Sequence, residues 1–237
     1  MAPIILLIET STKLCSVALA KGNEIVAMRE SLEENSHSSL VTVFIEEIVK
    51  ETGIALNLID AVTVGMGPGS YTGLRIGVSV AKGLCYSLDK PLIAVNSLQT
   101  MAYQVLNNLT LKLPIPLSKE CLLMPMIDAR RMEVYTACYD FNGHEIEKTS
   151  AKIIDEQSFS HYHSQSILYF GTGASKCVES FSTKSNMYFI DSVYPSTKFM
   201  IYLALKKINE SLFENIAYFE PFYLKDFITT TKKNSTV

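Results

Sequence analysis

"LLIETSTKLCSVALAKGNEI" (Leu6–Ile25) and "MPMIDARRMEVYTACYDFNGHEI" (Met124–Ile146) decide the fold, because they are two versions of one pattern. Each runs apolar strand, acid, short polar turn, second strand, then Gly-x-Glu-Ile. The acid and the glycine stand 13 residues apart in the first (Glu9 to Gly22) and 15 in the second (Asp128 to Gly143). Both hairpins are followed by the same succession of periods. After the first come a strand at Glu24–Arg29, an amphipathic helix from Ser36 to near Gly53, a buried strand at Ala61–Met66, a helix at Thr72–Leu88, a strand at Pro91–Val95 and a helix at Ser97–Leu106. After the second come a strand at His144–Ile154, a short helix near Glu156–Ser160, a strand at Ile167–Phe170, a helix after Gly171-Thr-Gly173, a strand at Met187–Ile190 and a helix at Thr197–Leu212. The order βββαβαβα occurs twice, so duplication is the better reading. Each half is expected to be a mixed sheet with helices on it. The two-proline stretch "LNNLTLKLPIPLSKE" (Leu106–Glu120) reads as the connection, which divides the chain into 1–106 and 107–237.

Bulk composition narrows the classes. At 237 residues, 48% hydrophobic and 19% charged, the chain has the material for a large core. "PIILLI" (Pro3–Ile8) has no basic flank and meets Glu9 too soon for a signal peptide or membrane span, so it reads as a buried strand. Five cysteines form no C-x-x-C pair and are odd in number; they read as reduced core thiols of a cytoplasmic protein. A net charge of −3, with no basic run longer than a pair, argues against unaided nucleic-acid binding.

"VGMGPGSYTGLRIGVSVAKGL" (Val64–Leu84) holds six of the eleven glycines. It fails the P-loop count, because Thr72 and Leu74 stand where the second glycine belongs. The dinucleotide fingerprint fails by one residue in each register, and the nucleophile elbow fails because Pro68 and Thr72 flank Ser70. What remains is a strand end, a Gly-Pro-Gly turn, and a helix with Ser70 or Thr72 as N-cap. The free N–H groups there suit either an anion or plain capping. Gly73, Gly77 and Ala81 share one narrow face. Interior glycines cost roughly 1 kcal/mol each in helix propensity, so a close neighbour must offset them. Two neighbours fit: the chain's own sheet or a partner's helix.

Other chemistry is sparse. His37 has Val41 four residues on, so it forms no H-x-x-x-H pair, and His161-Tyr162-His163 lacks a carboxylate or cysteine at ligand spacing. Glu9 and Asp128 are expected at equivalent strand ends facing a cleft. There they would either serve metal–phosphate chemistry or accept hydrogen bonds from the adjacent turn, with Arg130 and Arg131 neutralising Asp128.

"IETSTKLCSVAL", "ENSHSSL", "GMGPGSYTGLRIGVSVAKGL", "DARRMEVY", "YPST" and "FYLKDF" fall in order over nearly the whole chain. Together they resemble the TsaB family, formerly YeaZ. The matching motif positions include Glu9, His37, Ser70, Thr72, Arg75, Asp128, Arg130, Glu133 and Tyr135. The resemblance implies an α/β fold of the actin/Hsp70/sugar-kinase type, two duplicated RNase H-like domains around a cleft; how far the last helix returns onto the first domain is left open by the sequence. It implies a non-catalytic subunit, without cofactor or membrane association, in synthesis of N6-threonylcarbamoyladenosine at tRNA position 37. The paralogous TsaD carries the metal-binding histidine pair and the transfer chemistry, whereas His37 here stands alone. The implied partners are a TsaD-like subunit, a TsaE-like ATPase through the complex, tRNA mainly through those partners, and a second copy when the chain is alone. The implied interface is a helix bundle built from Ser36–Glu51 and Thr72–Leu88, with Leu40, Phe44 and Ile48 as apolar stripe and Gly73, Gly77 and Ala81 as small face. Glu9 stands where many members have Asp, which weakens a kinase-like role, and Thr197 stands where Ala is commoner. The rival functions are an ATP-dependent phosphotransferase using Glu9 and Asp128, and a metallopeptidase, as an older family label suggests.

Overall fold

The computed structural model describes residues 2–33, 37–108 and 110–225. Ser36, at the expected start of the first helix, and the last two residues of "FYLKDF" lie outside that range. The first half contains β1 (Ile4–Glu9), β2 (Cys15–Lys21), β3 (Glu24–Ser31), α1 (His37–Thr52), β4 (Ala61–Gly67), α2 (Tyr71–Leu88), β5 (Leu92–Asn96) and α3 (Ser97–Asn107). The second contains β6 (Cys121–Asp128), β7 (Glu133–Tyr139), β8 (Glu145–Ile153), β9 (Ser166–Phe170), α4 (Val178–Phe181), β10 (Met187–Ile190) and α5 (Ile201–Asn209). Two five-stranded sheets result, ordered β3-β2-β1-β4-β5 and β8-β7-β6-β9-β10. In each, the first two strands of the half pair antiparallel, and the first pairs parallel with the fourth. Glu9 ends β1 and Asp128 ends β6, so the two acids hold the same place in the repeated topology.

The second half departs from the expected repeat in its helices. The helix expected near Glu156–Ser160 is a run of turns closed by a 3-10 turn at Ser160–Tyr162. No apolar residue recurs there at helical spacing, and Asp155 binds the Ser158 hydroxyl and the Gln157 N–H in a tight local turn. The helix after Gly173 is only a 3-10 turn and the four-residue α4.

Strand β1 is apolar at every position before Glu9 because both of its faces are covered. Leu6 and Ile8 point into a core with α1 and α2 (Val41, Phe44, Ile48, Val78). Ile5 and Leu7 point the other way, onto Ile201, Leu203 and Ala204 of α5. The helices that close each half are thus exchanged. α5 covers the first sheet, whereas Leu98, Met101, Ala102 and Val105 of α3 pack with Leu123, Ile127 and Tyr139 of the second. Polar bonds reinforce the junction: Thr197 Oγ1 meets Ser16 Oγ at 2.6 Å, Ser196 Oγ donates to Glu30 at 2.6 Å, and Asn96 Nδ2 donates to Thr149 at 3.0 Å. Thr197, fully buried, is one of the residues that join the halves. No helix among the described residues is long and apolar enough to cross a membrane.

Candidate functional site: the interdomain cleft and the α1–α2 face

A cleft of about 1260 Å³ separates the halves, lined by the two hairpin turns, the Gly-Pro-Gly loop and the start of α2. It is built from residues that the sequence pattern pairs, but the pairing breaks at the acids. Asp128 lines the cleft, and Glu9 does not. Glu9 is fully buried, accepting the Ser11 N–H at 2.7 Å and the Ser97 hydroxyl at 2.9 Å. Burial drives its pKa up, against those two hydrogen bonds. Gly65 is what admits the carboxylate, because a β-carbon there would lie 2.1 Å from Glu9 Oε2. Asp128 keeps about half of its side chain exposed, accepts the Arg130 N–H at 3.0 Å and pairs with Lys176. Its neutralising cation is therefore Lys176. Arg130 and Arg131 form no ion pair among the described residues. They line the cleft in a turn with φ of 69° and 49°, a backbone conformation rare for non-glycine residues.

The glycine stretch answers to its own chain. Ser70 caps α2, its Oγ accepting the Gly73 N–H at 3.2 Å, while Thr72 is exposed in the first turn. The small face then docks on the β1–β2 turn. Thr10 Oγ1 donates to the Gly73 carbonyl at 2.8 Å, and β-carbons at Gly73 and Gly77 would fall 2.1 Å and 2.3 Å from Thr10 oxygens. Gly73, Gly77 and Ala81 are buried in the first domain, as are Phe44 and Ile48, and Leu40 is half-buried against the same core. The packing partner of these faces is the chain itself: Gly73, Gly77, Ala81, Phe44 and Ile48 are spent there, and Leu40 in part. The physical cause is that helical periodicity reports a buried face without saying what buries it.

The same docking closes the turn that would cradle a phosphate. Ser11 N is held by Glu9, Leu14 N donates to Thr12 Oγ1 at 3.3 Å, and the Ser11 carbonyl receives Ser70 N at 2.6 Å. His37, at the start of α1, is buried with Nε2 donating to the Thr12 carbonyl at 2.8 Å, which ties the helix to the same turn. No group of three or more His, Cys, Asp or Glu suited to a metal occurs among the described residues. The thiols of Cys15, Cys85 and Cys177 are pushed up to about 11 by burial and that of Cys138 to about 12, which suits packing groups and not nucleophiles.

On the outside, α1 and α2 present a different set. Val43 and Tyr86 are exposed, Ile76 and Val80 half-buried, and Gly83 has open space where a side chain would be. Arg75 lies over the Tyr71 ring at 4.1 Å and donates to the Tyr223 hydroxyl at 3.3 Å. Glu133 pairs with Lys225, and Tyr135 beside it lines the cleft with its pKa raised by burial. The last contacts link residues far apart in sequence, and no spacing signal could have found them.

Two duplicated RNase H-like domains facing each other across a cleft define the actin/Hsp70/sugar-kinase class. A family model described as TsaD, tRNA N6-adenosine threonylcarbamoyltransferase, matches residues 31–229. The chain is 30% identical to the tRNA threonylcarbamoyladenosine biosynthesis protein TsaB of Haemophilus influenzae, with 96% of each covered. It is 36% identical to TsaB of Escherichia coli over 59% of this chain and 57% of that one. The solved structure of YeaZ from Pseudomonas aeruginosa superimposes with a TM-score of 0.75 at 24% identity, over 94% of this chain and 100% of that one. The chain belongs to the TsaB (YeaZ) family.

Proposed function

We propose that this chain is a non-catalytic subunit of the cytoplasmic machinery that makes tRNA N6-threonylcarbamoyladenosine. It docks on a TsaD-like catalytic subunit through the outer face of α1 and α2. A TsaE-like ATPase joins through that complex, tRNA is held mainly by the partners, and the isolated chain pairs with a second copy over the same face. One observation carries the reading. α1 and α2 bury their apolar and small faces at home and still leave Val43, Ile76, Val80, Gly83 and Tyr86 toward the outside. Helices that retain apolar and small positions after building their own core have surface to give to a partner. The non-catalytic part of the reading is supported by the turn itself, whose Ser11 and Leu14 N–H groups are spent on Glu9 and Thr12 and whose Ser11 carbonyl accepts Ser70 N.

The test is Gly83→Arg combined with Val43→Glu. Both positions are on the outer surface, so the thermal midpoint is expected to stay close to that of the parent while co-purification with the TsaD-like subunit drops at least tenfold. Undiminished association overturns the interface. Reconstituted tRNA modification with and without the chain tests the role itself. A phosphotransferase is the second reading, favoured by the cationic turn at Arg130 and Arg131 and by Ser11 Oγ, which is buried without a partner among the described residues. It requires tight ATP–Mg²⁺ binding by the isolated chain that Asp128→Asn abolishes.

A further inference from the structure

Beyond α5, which already covers the first sheet, residues 210–225 continue along the first domain. Glu214 N donates to the Leu92 carbonyl at 2.9 Å, and Phe219 enters the core beneath α1 and α2. Lys82 Nζ donates to the Phe219 carbonyl at 2.9 Å, and Phe222 N donates to Met66 O at 2.8 Å. Tyr223 then lies against Tyr71, ring centroids 4.6 Å apart, with Arg75 on its hydroxyl. Two residues later Lys225 crosses to the second domain and pairs with Glu133 on β7. The segment 222–225 lines the cleft.

The two domains are thus joined in two different ways. At the junction the joints are buried: the α5 and α3 packings and the bonds Ser16–Thr197, Glu30–Ser196 and Asn96–Thr149. None of the six residues in those bonds lines the cleft. Across the cleft the contacts are light. Lys13 Nζ stands 5.2 Å from the Tyr194 ring centroid, and the Lys225–Glu133 pair leaves 39% and 22% of the two side chains exposed. A pair this exposed is worth little and is screened by salt. Opening about a fixed junction is the ordinary motion of two domains built this way.

We propose that residues 210–225 form a clasp on the cleft, with the body fixed to the first domain and the tip holding the second at its closed width through Lys225 and Glu133. The body survives opening, because Phe219 and the backbone bonds of Glu214 and Phe222 all lie within the first domain. The tip releases alone.

Nitroxide labels at Ser38→Cys and Ser175→Cys, both exposed positions lining the cleft on opposite sides, report its width by pulsed electron–electron resonance in the full chain. The five native thiols are buried, and a parent without the new cysteines checks that they take no label. Lys225→Ala and Glu133→Gln are each expected to move the distance distribution to longer values, with the double variant no further displaced than either. Exchange of the pair, Lys225→Glu with Glu133→Lys, restores the parent distribution. About 0.5 M NaCl shifts the parent in the same direction and leaves Lys225→Ala unchanged. An unchanged distribution in both single variants, additive shifts in the double, or failure of the exchanged pair to restore the parent overturns the clasp.

Discussion

Glu9 and Asp128 end the first strands of equivalent hairpins, yet one is sealed in the protein and the other meets solvent and Lys176. The hairpins themselves do not explain the difference. In the first half the strand-to-helix loop leads into the 18-residue α2, whose glycine face lies directly on the turn. In the second half the corresponding loop leads only into a 3-10 turn and the four-residue α4. The turn there stays open, and a lysine from that short segment reaches the acid. One backbone motif therefore gives a buried carboxylate pushed toward its neutral form in one copy and a solvated ion pair in the other. What decides is the length and smoothness of the helix that follows.

The contrast can be broken at its strongest point, the contact of α2 with the first turn. Gly73→Ala places a methyl group 2.1 Å from the Thr10 carbonyl oxygen. Backbone on both sides leaves nowhere to yield, so a loss of more than about 3 kcal/mol in urea unfolding is expected. Gly77→Leu, against Thr10 Oγ1 at 2.3 Å, is expected to abolish soluble folded protein. Normal stability in either variant means that the turn and α2 are not docked.

The acids themselves come next in size. The folded-state pKa of Glu9 lies above its unfolded value. Its protonation therefore favours the fold fully below the unfolded pKa, and that contribution is lost as pH rises through the folded value. Glu9→Gln keeps an acceptor for Ser11 N and removes the charge. It is expected to raise stability above that of the parent at pH 8 and to converge on the parent near pH 4. Asp128→Asn, in the solvated copy, is expected to change stability by less than about 1 kcal/mol. Equal effects of the two substitutions across that pH range erase the distinction between the turns.

The smallest expected effect lies on α2 itself, on its far side from the turn. A β-carbon at Gly83 would meet nothing within 4 Å, so Gly83→Ala is expected to stabilise by about 0.5–1 kcal/mol through helix propensity. Opposite signs for Gly73→Ala and Gly83→Ala in one helix sharpen the division between its docked and outer faces.

Much of this is legible in the residues. Apolar runs and turn chemistry locate the strands outside the paired hairpins to within about two residues, and the repeated hairpin gives the two sheets their common order. The helix expected near Glu156–Ser160 fails because the first half's pattern does not extend to these polar residues between two strands. Both hairpin acids are expected to face the cleft, and only Asp128 does. Nothing in "IETSTK" announces that Gly65 leaves room for the Glu9 carboxylate, or that Ser97, 88 residues away, hydrogen-bonds to it.

What the sequence determined alone was which apolar positions are buried, where the strands and the first half's helices run, that the chain is two copies of one plan, and which family its motifs match. Those are properties of local period and local chemistry, carried by neighbours within a few residues. Tertiary structure decided what each buried face meets: α2's glycines against Thr10, α3 and α5 on each other's sheets, Lys176 on Asp128, and Lys225 on Glu133. Burial is written one residue at a time, but its partner is chosen by packing across the whole chain, where a hydrophobic or small face has no preference among neighbours until volume and hydrogen bonds select one.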